Sequence, residues 1–376
     1  MASRLWRSWL ILLLALGLLA FAGSTQGANG SAPAPGVTSA ATTWRPMNGP
    51  GLPPLNQLNI NGIVADPSNP KIVYLGTSAY SGSYGGVYRT TDGGASWSPF
   101  NTGLANGASI NLLAITPDGA VLYARDSNSA STGLFRTPTG SAAWTKLATP
   151  IGSDANSIHS IYINSSYVYI GLDDMGMYKS GNQGDTWIQM EHSPQNTISA
   201  IGGVSTDLNL MYAAVVTPYK TTDGGDSWEY LANYRVQDCA TGYVVTIAID
   251  PANTDVVLSG DDHDCLERSE DGGATWNKVY ARVGVSRVII DPQNPDLAYL
   301  SSITFGLAHD GVMMSSDNGK TWADYNNGLP WMGTTGFDLG PGEAGQPSVL
   351  YAGMIYYGVY TTAPLVYYNF LPLLRK

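Results

Sequence analysis

One eight-residue string is written four times along this 376-residue chain: TTDGGASW at Thr90–Trp97, TTDGGDSW at Thr221–Trp228, SEDGGATW at Ser269–Trp276 and SSDNGKTW at Ser315–Trp322. Worn copies, TPTGSAAW and SGNQGDTW, end at Trp144 and Trp187. Such repetition constrains the fold strongly, because each repeat must be a supersecondary unit that buries its core against its neighbours. The six tryptophans recur at intervals of about 40 to 50 residues, the length of one four-stranded propeller blade.

Around each octet the same segments return. An apolar run comes first, as in INGIVADP, INLLAITP and VSRVIIDP. A short segment around a tyrosine follows, as in IVYLGT and VLYAR, and then one such as GVYRT, GLFRT or GMYKS. The fourth opens at the tryptophan. Each is short, rich in β-formers and bounded by turn residues, so each reads as a strand. Seven units fit between residues 42 and 363, and the seventh lacks its fourth strand. TTWRPMNGPGLP around Trp44 resembles the segments after Trp97 and Trp322, and supplies the missing strand from the other end of the chain. The expected fold is all-β: a single seven-bladed β-propeller of four-stranded antiparallel blades, closed by an N-terminal strand that completes the last blade and leaves no open sheet edge. The 44 glycines, 22 prolines and only 12% charged residues suit short strands joined by tight turns.

The octet falls between the third and fourth strands, so it is a hairpin turn. Its glycines supply the positive φ that tight hairpins need. The aspartates (Asp92, Asp223, Asp271 and Asp317) can take hydrogen bonds from N–H groups of their own turns. Trp97, Trp228, Trp276 and Trp322 can then bury their rings against the blade. One carboxylate per turn is far from the oxygen set that calcium requires.

The octet is similar to the Asp-box, or BNR repeat, of sialidases, xyloglucanases, sortilin-type receptors and photosystem II assembly factors. The resemblance runs from about Thr42 to Thr362. It implies that the repeated aspartates are structural and lie on the rim of the face away from the ligand site. LFRTP at Leu134–Pro138 resembles the Phe-Arg-Ile-Pro motif of sialidases, but neighbouring units also carry a basic residue where Arg136 stands. Xyloglucanases, which resemble the chain in repeat type, place their active site between two seven-bladed propellers with an acid from each. The photosystem factors match in size and blade count but are marked by a basic patch, whereas this chain is acidic.

Residues 1–22 read as a secretory signal peptide: Arg4 and Arg7 precede the apolar run LILLLALGLLAFA and an Ala20-Phe21-Ala22 cleavage site. Residues 23–41 are small and Pro/Gly/Ser-rich, as in a flexible linker. The tail 364–376, VYYNFLPLLRK and the two residues before it, fits no blade and reads as a surface-sorting segment or a strap. Export makes a Cys239–Cys265 disulfide the expected state of the two cysteines. A formal net charge of −11 excludes a nucleic-acid footprint.

Function is expected on the face opposite the octets, where loops join the second and third strands and successive blades. Aromatic residues there, Tyr80, Tyr84, Phe305, Trp331, Tyr356 and Tyr357, suit a sugar or a peptide. Acidic residues accompany them: Asp126, Asp173, Asp174, Asp261, Asp262, Asp264 and Asp310. The sequence reading is an exported bacterial propeller, monomeric and non-catalytic, without cofactor or metal, binding a glycan or an extracellular protein. The alternative is a glycoside hydrolase, xyloglucanase-like or sialidase-like, drawing its carboxylate pair from Asp173 or Asp174 and Asp261 or Asp262.

Overall fold

Each of the first six repeats folds into one antiparallel four-stranded sheet whose strands lie side by side in chain order. The computed structural model describes residues 43–79, 84–128, 130–150, 157–234, 242–263, 265–281, 284–302, 311–330 and 333–363. The signal, linker and tail segments, Tyr80, Cys239, Asp264, Phe305, Asp310 and Trp331 lie outside the described residues. Blade one comprises Leu58–Ala65, Val73–Ala79, Gly86–Thr90 and Ser98–Pro99, from the inside outward. Six further sheets follow, making a seven-bladed β-propeller. The last consists of Gly336–Gly340, Val349–Met354 and Gly358–Thr361, completed by Arg45–Pro46. Arg45 pairs with Thr361 and Pro46 with Tyr360, closing the ring as the sequence led us to expect.

Burial falls from the second strand outward. Val168–Leu172 and Ala298–Ser302 are buried at every residue, whereas the outermost strands Ser98–Pro99 and Ile188–Gln189 are exposed throughout. Blades pack face to face, so the middle strands are covered on both sides and read as nearly continuous apolar runs. The cores therefore lie between blades: Val64, Tyr74 and Val87 of blade one pack with Ile110, Leu122 and Ala124 of blade two. Close approach needs glycine in the second strand. A Cβ on Gly353 would meet Ile60 at 2.5 Å, across the closing junction, and one on Gly260 would meet Val285 at 2.7 Å.

The tryptophans hook blades together in a way that periodicity did not reveal. The indole N–H of Trp97 donates to the Met47 carbonyl at 2.7 Å, that of Trp144 to Phe100 at 2.6 Å, and that of Trp44 to Tyr325 at 2.6 Å. Each acceptor follows the outermost strand of the preceding blade. Trp276 and Trp322 instead donate to Gly273 and Gly319 of their own octets.

Candidate functional site

Within the octet, Asp92 Oδ1 accepts from the Ser96 N–H at 2.9 Å and the Thr90 hydroxyl at 2.7 Å, and Oδ2 accepts from the Ser96 hydroxyl at 2.6 Å. The Thr90 hydroxyl in turn accepts from the Gly94 N–H at 2.9 Å. Gly93 and Gly94 both have positive φ, 71° and 87°. The same network surrounds Asp223, Asp271 and Asp317. In the worn copy Asn182 replaces the aspartate and keeps the bonds to Ser180 and Thr186. Hydrogen bonds from the Thr275 hydroxyl and N–H, with a further one from Ser269, hold the Asp271 carboxyl below the usual carboxylate range. These oxygens are committed to their own turns.

The opposite face is built differently. The innermost strands of blades one, two, three, five and six each carry a β-bulge near their start. The residues left out of register are Asn61, Asn111, His159, Val245 and Ser286. A bulge re-aims a side chain, and all five line a central cavity of about 600 Å³. Ser199 and Thr335 contribute from blades four and seven. Polar members of this ring latch neighbouring blades. The Asn61 amide donates to the Ile110 carbonyl at 3.5 Å, the Ser199 hydroxyl to Val244, and the Thr335 hydroxyl to Ile60. Deeper in the cavity Asp338 faces Arg287 at 3.0 Å and accepts from the Ala65 N–H at 2.9 Å. Burial raises the Asp338 carboxyl above its ordinary value despite the guanidinium.

Around this mouth, the acids predicted from sequence fall into separate groups. Asp173 is half-exposed, accepts from the Thr197 hydroxyl and lies 3.9 Å from His159 Nε2. Asp174, beside it, is exposed with φ 53°. Asp261 is only 3% exposed and takes the N–H groups of His263 and Cys265, so it shapes a turn. Asp262 is exposed and accepts from the Tyr243 N–H at 2.8 Å and the His263 ring at 2.8 Å. The first two acids hang from blade three and the last two from blade five, each tied to local partners. Asp126 is fully buried, capping Ser109 and Asn128. Cys265 is disulfide-bonded. Among the described residues no group of three or more His, Cys, Asp or Glu could hold a metal ion.

Aromatic exposure concentrates on this face. Of nine large apolar side chains exposed among the described residues, six sit on its loops: Leu55, Tyr84, Val216, Tyr243, Tyr356 and Tyr357. They form two groups on opposite sides of the mouth. The Tyr356 N–H donates to the Leu58 carbonyl at 3.0 Å, fixing that loop of blade seven against blade one, and Tyr356 takes φ 65° to do so. The Val244 N–H donates to the Val215 carbonyl at 2.9 Å, bringing Tyr243 beside Val216 at the junction of blades four and five. Sequence reasoning missed Tyr243, because it lies in a link between blades beside a strand rich in valine and isoleucine.

No known protein-family profile matches the chain. A xyloglucanase of Paenibacillus sp is 25% identical over 303 residues, covering 64% of this chain and 29% of that protein. The curated relatives are xyloglucanases. This chain spans less than half the length of each. The crystal structure of the GH74 xyloglucanase from Xanthomonas campestris superposes with a TM-score of 0.63 at 15% identity, over 85% of this chain and 53% of that one. A structure of YCF48 bound to D1 peptide superposes with a TM-score of 0.59 at 12% identity, over 89% of this chain and 98% of that one. At these identities the structural likeness is one of fold.

Proposed function

We propose that the chain is an extracellular propeller that binds a polysaccharide of the xyloglucan class across the face opposite the octets. The observation that carries this is the exposure of Tyr84, Tyr356 and Tyr357 on one side of that mouth and of Tyr243, beside Val216, on the other. Tyrosine rings beside carboxylates and amides match the alternating C–H patches and hydroxyls of a sugar chain. The substrate class comes from the relatives.

A second reading is hydrolysis of that polymer, and the relatives' names favour it over a purely non-catalytic holder. A glycosidase needs two carboxyl groups roughly 5 to 10 Å apart. Asp173, next to His159 and Thr197, is the acid best placed to take part. A partner acid on the same face would have to reach it from another blade or from a second propeller.

The test is titration of the full chain with soluble xyloglucan, with reducing ends measured in the same samples. Tyr356→Ala and Tyr84→Ala should each weaken binding by about tenfold, the loss of one ring contact of roughly 1.4 kcal/mol. No binding in the unmutated chain sinks the proposal. Release of reducing ends that disappears in Asp173→Asn establishes the hydrolase.

A further inference from the structure

On the octet face, the turn between the first and second strands spans seven residues in blades one, four, five and six and eight in blade seven. In blade two it is five residues, 116–120, and in blade three four, 164–167. These two short turns are neighbours, and a cleft of about 420 Å³ opens between them. At the junction of blades five and six the corresponding space is bridged by Asn318, the fourth residue of its octet. Its amide donates to Asp250 at 2.8 Å and to the Pro295 carbonyl at 2.8 Å. The matching residue in blade three is Gln183, also at positive φ, but Thr116 stands where Asp250 does and the shorter turn offers no counterpart of Pro295. The Gln183 carbonyl takes the Tyr123 hydroxyl and Arg136, while its exposed side chain makes no hydrogen bond among the described residues.

The lining has a defined chemistry. Tyr167 is 39% exposed and lines the cleft; Lys179, outside the lining, lies over its ring at 5.4 Å. Asp118 Oδ1 accepts from the Thr116 hydroxyl and the Ala120 N–H, which leaves Oδ2 available to a ligand. Asn164, 5% exposed, spends its Oδ1 on the N–H groups of Ser166 and Tyr167. Its Nδ2 is buried. The Asn164 amide lies near enough to the Tyr169 hydroxyl to moderate the rise that burial imposes on that phenol. Blades one, five and six carry Asp66, Asp250 and Asp291 at this position, acceptors only, where blade three has an amide.

We propose that this cleft is a second carbohydrate site, taking one neutral hexopyranose residue of a glycan against Tyr167, with its hydroxyls on Asp118 and Gln183. A ring platform bordered by separate acceptors and donors fits a sugar, whose hydroxyls both donate and accept. The Asp118 carboxylate and the acidic chain disfavour a phosphate or another anion. The site is independent of the opposite face and lies on different loops.

The experiment labels the tyrosine rings of the full chain with carbon-13 and follows their resonances during titration with cellotetraose and with a xyloglucan oligosaccharide. Tyr167→Phe assigns the Tyr167 signal. That signal should shift and saturate, while Tyr84, Tyr356 and Tyr357 report the opposite face separately. Ser166→Trp, at an exposed position in the short turn, should fill the cleft and weaken the Tyr167 response by about tenfold or more without moving the others. A Tyr167 signal that stays still with both sugars, or one that shifts equally in Ser166→Trp, overturns the second site. Movement of Tyr167 alone would retain it and sink the opposite-face reading.

Discussion

Closure of the ring rests on very little backbone, and Trp44 shows how much depends on it. The last blade's outermost strand is two residues long, Arg45–Pro46, with Trp44 just before it. Trp44 is 2% exposed and packs edge-on against Tyr325, with centroids 6.3 Å apart. It shares a core with Tyr299, Phe337 and Leu350 of the sixth and seventh blades. Its backbone N–H donates to Asn327 at 2.8 Å and its indole to Tyr325 at 2.6 Å. Replacing it with alanine removes a large buried ring, at a cost of about 4 kcal/mol. Loss of the indole donor adds about 1 kcal/mol. For a domain of this size that corresponds to a fall in Tm of roughly 7 °C. Thermal melts should be compared for the intact chain, Trp44→Ala, a chain starting at residue 37 and one starting at residue 47. The residue-37 start should melt like the intact chain, and the residue-47 start should lose at least as much as Trp44→Ala. If all four melt within about 2 °C of one another, the N-terminal strand does not close the last blade.

Three further outcomes follow from the charges and the cysteines. The octet carboxylates Asp92, Asp223, Asp271 and Asp317 are depressed in the folded state, so their contribution to stability is present above the unfolded pKa and is lost as pH falls through the folded value. Tm should therefore drop below about pH 4, and Asp271→Asn should flatten that acid limb; an unchanged limb counts against the octet network. Asp338 is shifted the other way, by burial, so its ionised form is costly once pH exceeds the unfolded value. Arg287→Gln should consequently lower Tm more at pH 8 than at pH 4, and an equal loss at both would show that the pair does not matter electrostatically. Mass spectrometry of the unreduced protein should find no alkylatable thiol, since Cys265 is bonded and Cys239 is the other cysteine of the chain; two modified cysteines would refute the bridge.

The octets, the tyrosine-centred strands and the stray segment around Trp44 made the blade number and the N-terminal closure legible before any coordinates. Those features are local, repeated and set by turn chemistry, which a linear string records directly. The bonding of the repeated aspartates is local for the same reason: the partners of Asp92 lie within four residues. What the tertiary structure alone decided involves residues brought together from different blades. Asp261 looked like one more acid in a loop but is buried in its own turn, while Asp262 beside it is exposed. Asn61, Asn111 and His159 sit within apolar runs, and the bulges that turn them into the cavity appear only in the strand pairing. Trp97 belongs to blade one by sequence, while its indole binds Met47, fifty residues earlier on the strand segment that completes blade seven. The short turns at 116–120 and 164–167 are visible in the string, but only the packing of blade two against blade three shows that they border the same cleft. Periodicity records which face of a strand is buried; the ring geometry decides which neighbour covers it and where a gap is left.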